Sequence, residues 1–276
     1  MMDFIESAAV SSQTAPGKTG MVFRRFSHLS GCPDLVHAVF DRTGGKSSPP
    51  FDSLNVGFST GDDPGAVIEN RNRILSSLGL SRALFLQQVH GSDILVLPAA
   101  KADPQLFWKP GKPAPKTCIT ADGVVTDLPG LALVIQVADC QAVLLADPCK
   151  KVIANVHSGW RGSLKNIIGE CVDVMTGRFG CRPQDILAGI SPSLGPCCAE
   201  FKHFRKEIPQ HLWQYKHPDK DYFDFWALSV DQLQAKGIIP DHIANMHQCT
   251  RCRTDRFFSY RKAGKTGRFA CAIGLL

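Results

Sequence analysis

The stretch 131-LALVIQVADCQAVLLADPCKKVIANVHSGWRG-162 decides the fold, because it contains three apolar runs in close succession. The runs 131–137, 143–147 and 152–156 are short and rich in Leu, Ile and Val, which predicts buried strands. The period then changes, and the apolar positions of residues 164–175 mark one face of a helix. Strands grouped in this way, with helices between the groups, predict an α+β fold rather than a regular doubly wound sheet.

Similar patterns extend outward from this stretch. Asp62 and Asp63 precede Pro64, and apolar residues then repeat at helical spacing up to Gly79, which predicts a helix with both ends capped. A further helix is predicted at 227–237. Further strands are predicted from short apolar runs at 84–89, 93–97, 186–190, 243–246 and 269–276.

Length and composition favour one domain. No Pro/Gly/Ser-rich linker divides the apolar runs of the 276 residues, so we expect a single catalytic domain over 21–276. Residues 1–20 are small, polar and interrupted by Pro16 and Gly17, which predicts a disordered tail rather than a signal peptide. No apolar run approaches the ~18 residues of a membrane span. Eleven cysteines, an odd number, indicate reduced thiols and a cytoplasmic protein.

The formal net charge of +6 does not predict nucleic-acid binding. Lys and Arg form no basic block, and aromatic and basic residues alternate chiefly in 256–268, which is too short for an RNA-binding platform. A modest positive balance also suits an enzyme that must attract phosphate. Both a monomer and a small homo-oligomer are compatible with the sequence.

Three residues form a candidate metal site. His90, Cys140 and His157 each lie at the end of an apolar run that predicts a buried strand, and His and Cys are preferred zinc ligands. Three ligands leave a tetrahedral zinc ion one open position, as in catalytic sites. Taken singly, each histidine also fits a core or surface residue that is hydrogen-bonded to its neighbours.

Two charged residues near these ligands are candidate catalytic groups. Arg161 lies at a predicted helix start, where backbone amides and a guanidinium would favour phosphate, although a surface arginine fits the pattern as well. Asp139 adjoins Cys140, and it is either a structural carboxylate or a catalytic base. The neighbouring Trp160 is expected in the core rather than as a platform for stacking bases.

Motifs along residues 22–276 resemble those of the laccase-domain proteins, long called multicopper polyphenol oxidases. The matching stretches are 39-VFDRTGG-45, 53-SLNVG-57, 70-NR-71, 87-QQVHG-91, 121-ADGVVTDLPG-130, 138-ADC-140, 157-HSGWRG-162, 190-ISPSLGPCC-198, 249-CTRC-252, 257-FFSYRK-262 and 266-TGR-268. The resemblance implies helices packed outside two mixed sheets. It also implies that the His, Cys and His of these motifs bind Zn²⁺, with copper as an adventitious substitute.

The activity implied by the resemblance is zinc-dependent phosphorolysis of purine nucleosides, together with adenosine deamination. The substrates would be phosphate and adenosine, inosine or guanosine, with methylthioadenosine as a further candidate. Arg161 would then hold phosphate and Asp139 would carry a proton. Gln88 is assigned to substrate binding together with Arg42 and Asn55, although simple turn chemistry also explains the last two.

Three other functions remain as alternatives. A copper-dependent polyphenol oxidase needs several metals held mainly by histidine, whereas none of the nine histidines forms an H-x-H pair. A cysteine hydrolase would use Cys140 as nucleophile and His157 as base. A binding module would use zinc only to hold strands together.

Four further cysteines have an ambiguous pattern. Cys249 and Cys252 have the spacing of half a zinc site, but adjacent cysteines such as Cys197 and Cys198 rarely bind one metal. We therefore expect four reduced thiols, some of which line the active-site cleft.

Overall fold

Two six-stranded sheets form the centre of the protein, of which the computed structural model describes residues 10–14, 20–112, 115 and 118–276. The first sheet contains, in spatial order, β1 (Val10–Thr14), β2 (Val22–Phe26), β3 (Leu35–Phe40), β12 (Phe269–Leu275), β7 (Ala132–Val137) and β4 (Ala83–Phe85). The second sheet contains β11 (Ile243–Asn245), β10 (Leu187–Ile190), β8 (Gln141–Asp147), β9 (Val152–Ser158), β6 (Gly123–Thr126) and β5 (Ile94–Leu97). Both sheets are mixed, since parallel pairs lie at their edges and antiparallel pairs at their centres.

The helices connect and flank these strands. They are α1 (Ser27–Ser30), α2 (Pro64–Ser77), α3 (Trp160–Leu164), α4 (Ile167–Phe179), α5 (Phe204–Glu207), α6 (Phe225–Ala235) and α7 (Tyr260–Ala263). Short 3₁₀ helices span Phe58–Thr60, Ala99–Lys101, Pro104–Leu106, Pro183–Asp185, Gln210–Tyr215 and Pro240–His242. The predicted cap of α2 is confirmed, because the Asp63 carboxylate accepts a hydrogen bond from the Ala66 amide at 2.8 Å.

The sheets stack face to face and helices cover their outer faces. Strand β7 illustrates this arrangement: Leu133 and Ile135 pack in the core between the sheets, whereas Ala132 and Val134 pack against α2 on the opposite face. A strand buried on both faces needs a continuous apolar run rather than an alternating one, which explains the sequence of β7. Helices α4 and α6 cover the second sheet in the same manner. The predicted α+β class, mixed sheets and outer helices are thus confirmed.

The structure differs from the predicted disordered tail at Val10–Thr14. These residues form strand β1, which pairs antiparallel with β2, since β2 would otherwise present an unpaired edge. The remainder of that prediction falls on residues 1–9 and 15–19, outside the described residues, and on Gly20. Within the described part of the chain, no helix has both the length and the apolar character needed to cross a bilayer.

Candidate metal centre and active site

The fold brings the three predicted metal ligands together. His90 lies between β4 and β5, Cys140 immediately precedes β8, and His157 lies near the end of β9. Their candidate ligand atoms are all within 4.8 Å of one another, and the two imidazole rings meet edge to face with centroids 4.8 Å apart. Two of the connections involved, β4 to β5 and β7 to β8, cross from one sheet to the other. The site therefore lies at one end of the sandwich.

Gly159 gives the ligands room to meet. In the antiparallel β8–β9 pair Gln141 lies opposite Ser158, so the next position places Cys140 opposite Gly159. A Cβ on Gly159 would lie 2.6 Å from Nδ1 of His90 and 3.1 Å from Sγ of Cys140. Glycine is required here for close approach and not for backbone freedom, because its φ of −75° suits any residue.

Asp122 organises the two histidines. Its buried carboxylate accepts hydrogen bonds from Nδ1 of His157 at 2.7 Å, from the His90 amide at 2.9 Å and from the Gly91 amide at 2.7 Å. Because Nδ1 of His157 is hydrogen-bonded to the Asp122 carboxylate, Nε2 is the nitrogen available to a metal or to Cys140. The hydrogen bonds from the His90 and Gly91 amides to Asp122 hold His90 in a left-handed conformation with φ of 58°. Sequence reasoning assigned Asp122 no role, although it precedes a strand within the motif 121-ADGVV-125.

Charge coupling at the centre is strong. Burial alone would raise the pKa of the Cys140 thiol, but the charge of His157 and hydrogen bonds from both imidazoles lower it to about 6. Burial would lower the pKa of His157, but the Cys140 thiolate and Asp122 raise it to about 9. Burial also opposes ionisation of Asp122, yet the hydrogen bonds from His157 and Gly91 lower the pKa of this carboxyl. The centre therefore favours a thiolate, which is the form that binds metals.

A cavity of about 680 Å³ opens over this centre. Its aromatic wall consists of Trp160, Phe201 and Phe225, in which Phe201 lies 5.8 Å from Trp160 and 5.4 Å from Phe225 between ring centroids. Arg261 and Arg268 also line it. Nη1 of Arg261 donates to the Glu200 carbonyl at 2.8 Å, and Nη1 of Arg268 donates to the Thr266 and Gly267 carbonyls. The volume and the mixture of aromatic and cationic groups suit a nucleoside-sized ligand with an anionic partner.

Two predicted site residues line the cavity but have their polar atoms occupied. Gln88 exchanges two hydrogen bonds of 2.9 Å with the backbone of Gln136, so its side chain holds the wall in place. The carboxylate of Asp139 accepts hydrogen bonds of 2.6 Å from the Thr250 hydroxyl and the Arg261 amide. Of the two alternatives for Asp139, the structure favours the structural carboxylate.

Three other predicted site residues do not line the cavity. Arg161 is exposed, and its guanidinium lies over the ring of Trp160 at 4.3 Å. Arg42 pairs with Asp52 and lies over an aromatic ring, so it stabilises its own loop. Asn55 is buried, and its side-chain oxygen accepts hydrogen bonds from the Gly57 amide at 3.0 Å and from the Arg268 amide at 2.8 Å. The roles of Arg42 and Asn55 in substrate binding and of Arg161 in catalysis stay predictions.

The residues that sequence reasoning missed come from one segment and from the aromatic wall. Tyr260, Arg261 and Arg268 belong to the stretch 256–268, in which the sequence showed alternating aromatic and basic residues. That alternation was the sequence signal that could have indicated a ligand-binding segment. Trp160, expected in the core, is only partly buried and lies on the cavity wall.

The donor set fits zinc. Two imidazoles and one thiolate are borderline-soft ligands, they lie at zinc-binding separations, and a carboxylate orients one of the imidazoles. The described residues contain only two groups of three or more potential metal ligands, and only one of these groups includes histidine. That arrangement does not provide the several histidine-rich sites of a multicopper cluster.

Comparison with known proteins agrees with the motifs. Residues 36–276 match the family described as multi-copper polyphenol oxidoreductase laccase. A protein of Shigella flexneri named purine nucleoside phosphorylase YfiH is 33% identical over 242 residues, covering 85% of this chain and 91% of that protein. Purine nucleoside phosphorylase YlmD of Geobacillus stearothermophilus is 32% identical over 259 residues, covering 88% and 92% respectively. The crystal structure of YlmD from G. stearothermophilus superimposes with a TM-score of 0.81 at 30% identity and covers 95% of this chain and 97% of that one. The chain therefore belongs to the multi-copper polyphenol oxidoreductase laccase family.

Proposed function

We propose that this protein is a zinc-dependent purine nucleoside phosphorylase that also deaminates adenosine. The observation that carries the proposal is the cavity, whose lining combines the His90–Cys140–His157 centre with an aromatic wall and two arginines. The names of the relatives from S. flexneri and G. stearothermophilus support the same activity.

The cavity offers separate places for the two substrates. The aromatic wall of Trp160, Phe201 and Phe225 suits the flat purine, since π faces stack on any base. Arg261 and Arg268 provide cationic donors for phosphate through their guanidinium nitrogens other than Nη1, which donates to backbone carbonyls in both residues. In phosphorolysis a phosphate oxygen bonds to C1′ of the ribose as the bond from C1′ to N9 breaks, with its electron pair leaving on the purine. We assign the holding of phosphate to these two arginines rather than to Arg161, which lies outside the cavity lining.

Zinc bound by His90, Cys140 and His157 would supply Lewis-acid chemistry beside the bound nucleoside. Asp122 keeps the Nδ1 proton of His157 in place and so directs Nε2 towards the centre. Asp139 fixes the start of α7 through the Arg261 amide, and it thereby positions the guanidinium-bearing segment over the cavity.

One metal-analysed sample tests the proposal. We expect zinc at the centre and, with adenosine and phosphate, release of adenine together with ribose 1-phosphate. Without phosphate, adenosine should yield inosine, and both activities together should yield hypoxanthine. A sample that holds several coppers, consumes oxygen with phenols and leaves adenosine and inosine unchanged would instead establish the polyphenol oxidase.

A cysteine hydrolase is the second candidate, because the lowered pKa of Cys140 and the raised pKa of His157 also describe a nucleophile and its base. Metal dependence separates the two functions. A nucleophilic Cys140 would be most active without metal and would lose activity on alkylation of the metal-free protein. A ligand requires the metal for turnover.

A further inference from the structure

Four cysteine sulfurs meet outside the cavity lining. The Sγ atoms of Cys197, Cys198, Cys249 and Cys252 all lie within 4.8 Å of one another, and none of these residues lines the cavity, contrary to the sequence-based expectation. Sγ of Cys252 is 3.7 Å from that of Cys197 and 3.5 Å from that of Cys198. Four sulfurs at about 2.3 Å from one zinc ion in a tetrahedron would be separated by about 3.8 Å. The observed spacing is therefore close to that of a Cys₄ zinc site.

The cluster joins two loops that leave neighbouring strands. β10 and β11 are parallel, with Ile190 opposite Asn245, so the loops that follow them begin at the same edge of the second sheet. The Ser193 amide donates a hydrogen bond to the Gln248 carbonyl at 3.2 Å, and the Thr250 amide donates one to the Ser193 carbonyl at 3.0 Å. These bonds bring the two cysteine pairs face to face.

A tight turn explains how adjacent cysteines can both face the cluster. The Cys198 amide donates to the Gly195 carbonyl at 2.8 Å, so the chain turns through Cys197 instead of extending. Adjacent side chains diverge on a strand, which was the basis for doubting a shared metal, but the turn removes that constraint. Cys249 and Cys252 have the x-x spacing usual for zinc ligands.

Two of the four sulfurs accept hydrogen bonds from neighbouring donors. The Gly195 amide donates to Sγ of Cys249 at 3.3 Å, and Nη1 of Arg251 donates to Sγ of Cys198 at 3.5 Å. The indole of Trp226 packs with Cys198 and Cys249, which limits access of water from that side. Donors to the sulfurs and a partly apolar cover are the usual outer contacts of a thiolate-bound metal.

We propose that Cys197, Cys198, Cys249 and Cys252 bind one structural Zn²⁺, separate from the centre at His90, Cys140 and His157. Four protein ligands fill the tetrahedron and leave no open position, so this zinc holds loops together and takes no part in turnover. The loops that it joins also form part of the cavity: Leu194 and Ala199 line it, and Thr250 bonds to Asp139.

Metal content of purified, reduced protein tests the site. We expect two zinc ions per chain in the wild type, one in Cys140→Ala and one in Cys252→Ser. Cys149→Ser is the matched control, because Cys149 is exposed and belongs to neither group of ligands, and it should retain both ions. Equal zinc in Cys252→Ser and wild type would overturn the proposal.

Two measurements remain decisive even if Cys252→Ser does not fold. In Cys140→Ala loaded with Co²⁺, a four-thiolate site should give intense sulfur-to-cobalt charge-transfer bands and tetrahedral d–d bands. In wild-type protein, zinc should protect all four thiols from alkylation until a chelator is added, as read by peptide mass spectrometry. Absence of the cobalt bands, immediate alkylation of the four thiols, or a disulfide between any two of them would refute the site.

Discussion

At the scale of single residues, Gly159 and Asp122 determine whether the metal ligands can meet. Gly159 provides space and Asp122 provides orientation. Neither residue is itself a ligand, and neither would be selected by a search for His and Cys. Their roles follow from the close packing between β8 and β9 and from the carboxylate that precedes β6.

We predict that Gly159→Ala weakens metal binding about tenfold to a hundredfold, as is typical for changes next to metal ligands. The new methyl group would lie 2.6 Å from Nδ1 of His90 and 3.1 Å from Sγ of Cys140, so the imidazole must move from its present position. Competition with a chromophoric chelator measures the affinity. Gly177→Ala is the control, because a Cβ there contacts nothing within 4 Å and alanine suits the interior of α4. Unchanged metal affinity in Gly159→Ala would show that His90 is not a ligand.

At the scale of elements, the segment from Phe257 to Arg268 gives the cavity its positive charge. At the start of its short helix α7, the Ser259 hydroxyl accepts a hydrogen bond from the Lys262 amide, and the Asp139 carboxylate accepts one from the Arg261 amide. Burial lowers the pKa of Arg268, and the nearby Cys140 and Asp139 oppose that effect. Arg268 is therefore within electrostatic reach of the metal centre.

We predict that Arg268→Lys raises the KM for phosphate about tenfold or more, because an ammonium group cannot supply two parallel hydrogen bonds. Deamination of adenosine without phosphate should change much less. Arg161→Lys is the paired variant, and its KM for phosphate should remain close to wild type because Arg161 lies outside the cavity lining. Steady-state kinetics with varied phosphate compare the two. The opposite ranking would return the phosphate site to Arg161.

Sequence patterns located some elements and missed others for identifiable reasons. The apolar runs of β7, β8 and β9 are buried on both faces, so their composition alone predicted strands. β2 was missed because Arg24 and Arg25 interrupt its apolar pattern, and Arg24 is buried in an ion pair with Asp41 of the loop after β3. Such a long-range pair leaves no local trace in the sequence.

The candidate site was likewise predictable only where the local sequence carries a signal. His90, Cys140 and His157 were predictable because few residue types bind zinc and each follows a strand-like run. The cavity lining was not, because it combines side chains from separate elements: Trp160 from α3, Phe201 from a loop and Arg268 from the approach to β12. The sequence pattern also did not predict the interruption between α3 and α4. Asn166 ends the first of these helices, because its φ is 58°, and its side chain caps the start of α4.

At the scale of the whole molecule, the candidate metal centre lies at the edge of the central apolar cluster, against which Cys140 packs. One large cluster fills the space between the sheets, and two others lie under the outer helices. Burial of these side chains supplies most of the stabilisation, whereas the candidate ligand His90 is exposed at one end of the sandwich. We therefore expect folding and metal binding at this centre to be separable.

We predict that His90→Ala removes one zinc ion per chain and abolishes nucleoside turnover while the protein stays folded. The far-UV circular dichroism spectrum should match wild type. The melting temperature should fall by several degrees, since a ligand present at about 100 times its Kd contributes about 2.7 kcal/mol to stability. Loss of the cooperative melting transition would mean that this metal holds the fold together, as expected of a non-catalytic binding module.

Strand β12 has a consequence for how the chain folds during synthesis. It lies between β3 and β7 at the centre of the first sheet, although all the other strands of both sheets precede it in sequence. Until residues 269–275 leave the ribosome, β3 and β7 each present a free, apolar edge to other nascent chains. Arg268 immediately precedes this strand, so the cavity acquires its guanidinium in the same late step. Residues 269–275 must therefore leave the ribosome before the first sheet closes, and the demand for chaperones should be greatest just before that step.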